Sequence, residues 1–162
     1  NGLTTLATMK QRLPLRGTFA LKVYKNGKLV ERYVEKNLIV DAGFDLVQQL
    51  LSSAAADKHV TKIAFGDLTT PEVAETDPEW TGVPDPIEIN TGENWKTFDS
   101  VTFPTARSIS FNWSLQGNQA NGNDIAYFGL LSEDETLFAA KSRPAIAKTE
   151  DIVLQGTWII NF

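Results

Sequence analysis

The stretch Ser108 to Leu115 constrains this chain more than any other. Ile109, Phe111, Trp113 and Leu115 alternate with Ser108, Ser110, Asn112 and Ser114. A β-strand sends successive side chains to opposite faces, so four large apolar groups fall on one face and four small polar ones on the other. The end of the chain repeats the design. Ile152, Leu154, Trp158, Ile160 and Phe162 share one parity, interrupted by Gly156, while Gln155, Thr157 and Asn161 take the other. Such ribbons need a surface to cover their aromatic faces. We expect them to close against each other into a stiff body, with the other strands completing the cover.

The remaining segments fit that body. Asn1 to Arg16 has weak periodicity, ends in Leu13-Pro14-Leu15-Arg16, and reads as an extended arm. Thr18–Tyr24 and Leu29–Val34 flank Lys25-Asn26-Gly27-Lys28. Asn-Gly tolerates the two positive φ angles of a type I′ turn, which predicts a β-hairpin. The period then changes: Phe44, Val47, Leu50 and Leu51, joined by Leu46, follow helical spacing. This predicts a helix from about Ala42 to Ser53, with Asp41 as its N-cap and an apolar stripe belonging to the core. Val60–Phe65 reads as a strand. Ile125–Leu131 and Leu137–Lys141 read as strands around the exposed turn Ser132-Glu133-Asp134-Glu135, and a second turn is expected near Arg143-Pro144. Seven or more short strands with one helix predict a mainly β protein, an antiparallel β-sandwich. It is expected to form one domain over residues 17–162, preceded by the arm at 1–16.

Charge is unevenly placed. Up to Val30 the charged residues are all basic: Lys10, Arg12, Arg16, Lys22, Lys25 and Lys28. From Asp67 to Asp99 nine carboxylates face Lys96 alone, in a stretch punctuated by Pro71, Pro78, Pro84 and Pro86 and carrying Trp80 and Trp95. We read residues 67–98 as a long acidic loop, with Ile87-Glu88-Ile89 as a short edge strand. Two oppositely charged zones imply internal pairing or a head-to-tail contact between copies. The net charge of −5 argues against nucleic-acid binding. No run of about 18 apolar residues suggests membrane insertion, and the N-terminal stretch lacks the apolar core of a signal peptide. A chain of 162 residues buries roughly 70% of its unfolded surface, so the absence of cysteine costs it no needed staple.

Three stretches in series resemble small proteins and domains of tailed bacteriophages. They are Asn37-Leu38-Ile39-Val40-Asp41-Ala42-Gly43 entering the helix; Asn121 to Leu131; and Leu137-Phe138-Ala139-Ala140-Lys141 through Pro144, Ala145, Ile146, Lys148 and Thr149 to the closing strand. The resemblance spans roughly Gly17 to Phe162. It implies a structural component of the virion tail, baseplate or tail fibre, assembled in the host cytoplasm and located in the particle. It implies no catalytic residues. The basic arm and the acidic loop depart from the family pattern.

The chemistry-bearing residues agree with a binding role. His59 is the sole histidine and has no cysteine to share a transition-metal site, so it reads as solvated or packed. The strand serines lie in no nucleophile elbow. Carboxylates of the acidic loop would have to pair at a defined separation to hydrolyse a glycoside, and prolines around them favour a solvated loop instead. No cofactor is expected; calcium is the one cation with candidate oxygen ligands, from Asp67, Asp77 and Asp85, though without EF-hand spacing. Trp80 and Trp95 can pin the acidic loop to the body or to a neighbour, or, if exposed, stack on a host surface glycan. The expected interface residues are Lys10, Arg12, Arg16, Trp80 and Trp95. The expected partners are copies of the chain and other virion proteins. The alternative is a carbohydrate-binding, receptor-recognition module using Trp80, Trp95 or the Asn118–Asn123 loop.

Overall fold

The computed structural model describes residues 15–52, 57–67, 69, 83 and 85–162. Most of the expected arm lies outside these, with Lys10, Arg12, Trp80 and Asp77. The strands are β1 (Arg16–Lys25), β2 (Lys28–Lys36), β3 (Leu38–Ile39), β4 (Val60–Gly66), β5 (Lys96–Thr97), β6 (Ser100–Thr102), β7 (Ser108–Leu115), β8 (Asn123–Ser132), β9 (Leu137–Lys148) and β10 (Ile152–Asn161); one helix, α1 (Asp41–Ser52), follows β3. They form two five-stranded antiparallel sheets, ordered β2-β1-β10-β7-β6 and β3-β9-β8-β4-β5. This is a mainly β, sandwich-like fold with a single short helix.

The two aromatic ribbons do not face each other. β7 and β10 pair side by side, Trp113 opposite Gly156 and Phe111 opposite Trp158. Their alternation therefore points both apolar faces the same way, toward the second sheet. There Phe19, Trp113 and Trp158 meet Phe65 and Phe128, with the Phe19 and Phe128 ring centroids 4.7 Å apart and the Phe65 and Trp113 centroids 5.3 Å apart. Offset and edge-on rings of this kind add about 0.5–1.5 kcal/mol per pair beyond their buried area. Gly156 is the gap in the ribbon because the Trp113 indole fills it. A Cβ built at Gly156 would lie 2.0 Å from two indole carbons. The opposite face of β7 carries a hydroxyl–amide ladder. Ser110 donates to Asn112 Oδ1 (2.9 Å), and Asn112 donates to the Ser100 hydroxyl of β6 (3.0 Å).

The Asn-Gly hairpin forms as expected, Asn26 at φ 50° and Gly27 at φ 77°. The Asn26 N–H donates to the Asp151 carbonyl (2.9 Å), tying the hairpin tip to the turn between β9 and β10. Helix α1 begins one residue early. The Val40 carbonyl accepts from the N–H groups of Gly43 (2.8 Å) and Phe44 (3.4 Å), so Val40 takes the capping position. Asp41 is thus the first helical residue, its charge still at the positive end of the helix. Gly43 is pressed against β9, where a Cβ would meet the Phe138 carbonyl oxygen at 2.3 Å. The apolar stripe is core in its first half alone: Leu46 is buried, Phe44 and Val47 are half-buried, but Leu51 is 85% exposed and Leu50 is exposed too. Anchored on β9 through its first turns, the helix extends its last turn past that contact.

Two turn readings need correction. Arg143-Pro144 is no turn, since β9 runs unbroken from Leu137 to Lys148. Its register against β8 shifts between the Ile125–Ile146 and Tyr127–Ser142 pairs, so residues 143–145 form a bulge. A bulge is where a strand tolerates proline, which has no N–H to donate. The turn after β8 is exposed at Glu133, Asp134 and Glu135, but Ser132 is fully buried, and its hydroxyl donates to Asp134. Ile87-Glu88-Ile89 forms no strand. Instead the Ile87 N–H donates to the Phe65 carbonyl (2.8 Å) and the Ala120 N–H to the Ile89 carbonyl (2.9 Å), while both isoleucines enter the core. The described end of the acidic stretch is therefore fastened to the body and supplies β5.

Candidate functional site

Three surface features emerge from this frame. The first surrounds Trp95. β5 pairs with β4 so that Thr97 opposes Lys62; Trp95, two residues before Thr97, lies diagonally across from Lys62. The Lys62 ammonium lies 4.3 Å from the Trp95 ring centroid, donates to the Glu133 carbonyl (2.9 Å) and sits 3.9 Å from the Glu135 carboxylate. A cation over an indole face contributes about 0.5–2 kcal/mol, more as it is desolvated, and Lys62 is buried. One face of Trp95 is thus occupied; the residue remains about a third exposed. Beside it a cavity of about 190 Å³ is lined by Ala64, Val83, Pro86, Asn94 and Glu135 among others. That is below the ~300–1,000 Å³ typical of small-molecule sites.

The same corner shows why the turn after β8 is acidic. Lys58 pairs with Asp134 at 2.6 Å, and the Thr61 hydroxyl donates to Glu133 (2.7 Å). Burial pushes the Asp134 carboxyl up, but hydrogen bonds from Lys58, Ser132 and Thr136 outweigh it and hold the group well below the usual carboxylate range.

The second feature is a groove of about 730 Å³ where β1 and β3 diverge. Leu15, Leu38, Ile39 and Phe44 contribute apolar surface, Arg16 and Lys36 contribute cations, and among the described residues no carboxylate lines it. Among the described residues neither Arg16 nor Lys36 forms an ion pair. Contrast the opposing edge residues of β2. Glu35 pairs with Lys141 (2.6 Å), and Glu31 takes both Arg143 nitrogens (2.7 and 3.2 Å) beneath Tyr33, whose ring centroid lies 4.6 Å from the Arg143 guanidinium. Burial pushes the Lys141 ammonium down, but the Glu35 hydrogen bond outweighs it and raises it; that same bond, with Tyr33, lowers Glu35.

The third feature is the β6 edge. All three residues of β6 are exposed, Val101 at 45%, and the adjoining Phe103 is 72% exposed. β6 ends its sheet, so its outer backbone groups have no strand partner among the described residues.

Family models, curated proteins and solved structures gave no match to this chain.

Of the residues expected at an interface, the structure places Arg16 on the groove and Trp95 beside Lys62, in different sheets, and does not bring them together. Lys36, Val101 and Phe103 were missed. Lys36 lies beyond the hairpin strand Leu29–Val34 read from the sequence, and its pairing opposite Thr18 sets it beside Arg16's strand. Two amides of the Asn118–Asn123 loop are engaged by the protein itself: Asn121 donates to the Gly117 carbonyl (2.7 Å) and accepts from Lys148 (2.8 Å), and Asn123 donates to the Ala120 carbonyl (2.9 Å). Burial lowers the Lys148 ammonium, which also donates to the Thr149 carbonyl. Of the calcium candidates, Asp67 Oδ1 accepts from the Thr69 N–H and hydroxyl. Among the described residues no group of three or more His, Cys, Asp or Glu could hold a metal, and no helix is long and apolar enough to cross a membrane. His59 is exposed at the entry to β4.

Proposed function

We propose that this protein is a non-enzymatic structural component of a tailed-phage virion, placed at the tail tip, baseplate or tail fibre. It assembles in the host cytoplasm through contacts with copies of itself and other virion proteins. The observation that carries the reading is the β6 edge, without an outer strand partner among the described residues, with Val101 and Phe103 exposed along it. An unpartnered strand edge with large apolar side chains invites pairing with another chain, and proteins that remain monomeric blunt such edges. The serial resemblance to phage tail proteins supplies the setting. The proposal predicts that the gold-labelled protein decorates the tail of purified particles in negative stain. Its absence from purified particles would refute the proposal. Removing residues 1–16 is expected to lower incorporation, since the arm is read as a contact to a neighbour.

A carbohydrate-binding module is the second reading, favoured by the partial exposure of Trp95 next to Asn94 and Glu135. It predicts glycan-array binding that Trp95→Ala or Trp80→Ala weakens while incorporation is unaffected. An array without signal excludes it in favour of assembly.

A further inference from the structure

We infer that the outer face of the first sheet, at its β1–β2 end, binds an anionic polysaccharide. Strand parity sorts the charges there. In β2, Glu31 and Glu35 turn toward the second sheet, where Arg143 and Lys141 take them, so Arg32 and Lys36 turn the other way. In β1, Phe19, Leu21 and Val23 fill the core, which sends Arg16 and Lys22 out on the same side as Arg32 and Lys36. No strand residue on that face is acidic, from β2 across β1, β10 and β7 to β6. Among the described residues none of the four cations has an ion-pair partner.

Register then sets Lys22 directly opposite Arg32. Like charges so placed, with Cβ atoms about 5 Å apart, repel and weaken the fold. An anionic group seated between them relieves the repulsion and accepts a charge-assisted hydrogen bond from each. Across β10, Gln155 stands opposite Lys22 and Thr157 opposite Ala20. With Ala20 as floor, these side chains border a dip of about 170 Å³. It is too small to enclose a small molecule, and suits a polymer lying across the sheet. The cations continue along the strands to Lys36 and to Arg16, the latter roughly 20 Å from Lys22 on an extended strand.

The surroundings of the charge pair select the class of partner. A protein partner needs an apolar, desolvated centre, whereas this centre is Lys22, Arg32, Gln155 and Thr157 around one alanine. A nucleic acid meets a chain of net charge −5. The amide and hydroxyl of Gln155 and Thr157 match the donors and acceptors of sugar hydroxyls, and the exposed Val34 beside them offers apolar contact to ring C–H groups. The described ends of the chain's own acidic stretch, Gly66 and Val83, belong to the second sheet. Val83 clusters there with Ala64 and Leu131, which alternate with the core residues Ile63, Phe65 and Leu130 and so face away from the first sheet.

Biolayer interferometry of the full chain over immobilised alginate, dextran sulfate, neutral dextran and polyglutamate tests this. The parent is expected to bind an acidic polysaccharide with an affinity that falls as salt is added, and to ignore dextran. Lys22→Glu with Arg32→Glu should weaken binding by about tenfold or more. Gln155→Leu with Thr157→Val should weaken it by about threefold or more through lost hydrogen bonds. Lys22→Gln should weaken binding while Tm holds or rises, because it removes the repulsion; a merely structural lysine would lower Tm instead. Circular dichroism checks that each variant folds, and Lys22→Gln with Arg32→Gln replaces the reversal if it does not. Binding to neither acidic polysaccharide overturns the inference, and is also the result if the chain's own carboxylates cover the face. Reversals without effect, or polyglutamate bound as tightly as polysaccharide, overturn it too. Trp95→Ala should leave this binding intact; its loss there moves the site to Trp95 and overturns the inference. The inference rests on neither functional reading above, and particle labelling does not depend on this face, so its failure leaves the assembly proposal standing.

Discussion

Replacing Gly156 with alanine should destabilise this protein through a single added carbon. The added Cβ would stand 2.0 Å from indole carbons Cε2 and Cζ2 of Trp113 and 2.4 Å from its Nε1. Carbon atoms rest at about 3.5–4.0 Å, so the indole must retreat by about 1.5 Å or the strands must part. The indole has nowhere to go. Trp113 is 2% exposed, with ring centroids of Phe65 at 5.3 Å, Phe128 at 5.6 Å and Phe19 at 6.2 Å. Overpacking of this kind costs about 1–3 kcal/mol, and a clash with a rigid, enclosed ring belongs at the upper end. Opposing it, alanine loses less backbone freedom on folding than glycine, worth about 0.5–1 kcal/mol. The clash wins, for a net loss of about 2 kcal/mol. In a domain of this size that lowers Tm by about 4–8 °C, read by calorimetry or by urea denaturation. Trp113→Leu is expected to destabilise alone by leaving a cavity, yet to absorb the added methyl. A double-mutant cycle should then give a coupling of about 1 kcal/mol or more. A Gly156→Ala variant within about 0.5 kcal/mol of the parent, or a cycle without coupling, would refute the packing argument.

The β2–β9 clasp should matter beyond its exposed carboxylates: Arg143→Ala loses a bidentate pair and the Tyr33 stacking, an expected cost of about 1–2 kcal/mol in urea denaturation, because the Arg143 side chain is 5% exposed while that of Glu31 is 39% exposed. In α1, Leu46→Ala should cost about 2–4 kcal/mol and Leu51→Ser less than about 0.5, and comparable losses would place the last helical turn in the core. Asp134 carries a pH signature. Its folded pKa lies below its unfolded value, so the unfolded chain takes up the proton first and the stability it confers, full above about pH 5, is lost as the pH falls toward the folded pKa. Asp134→Asn should therefore start less stable at neutral pH and lose less Tm between about pH 5 and pH 2; parallel curves would count against the Lys58–Ser132–Thr136 account. Trp95→Ala should cost about 1 kcal/mol through the lost Lys62 contact, measured by thermal denaturation.

Local pattern alone determined a good deal here. The period-two runs of β7 and β10, the Asn26-Gly27 turn and the helical spacing at Phe44 to Leu51 are set by steric rules that act over a few residues, and each appears where the sequence places it. What a strand pairs with is another matter. Alternation says that Trp113 and Trp158 share a buried face, but it is equally satisfied by ribbons stacked face to face or lying side by side. Pairing across 45 residues chose the second, and with it the need for glycine at 156. The bulge that admits Pro144 looked like a turn because proline and its neighbours carry the same signal in both, and only the β8 register distinguishes them. Likewise Leu50 and Leu51 continue the helical stripe, yet exposure depends on where β9 stops covering α1. The groove at Arg16 and Lys36, and the lysine resting on Trp95, join residues far apart in the chain. Short-range preferences fix which way a side chain turns. Which surface it then meets is decided by long-range contacts, whose free energy exists only once the sheets have closed.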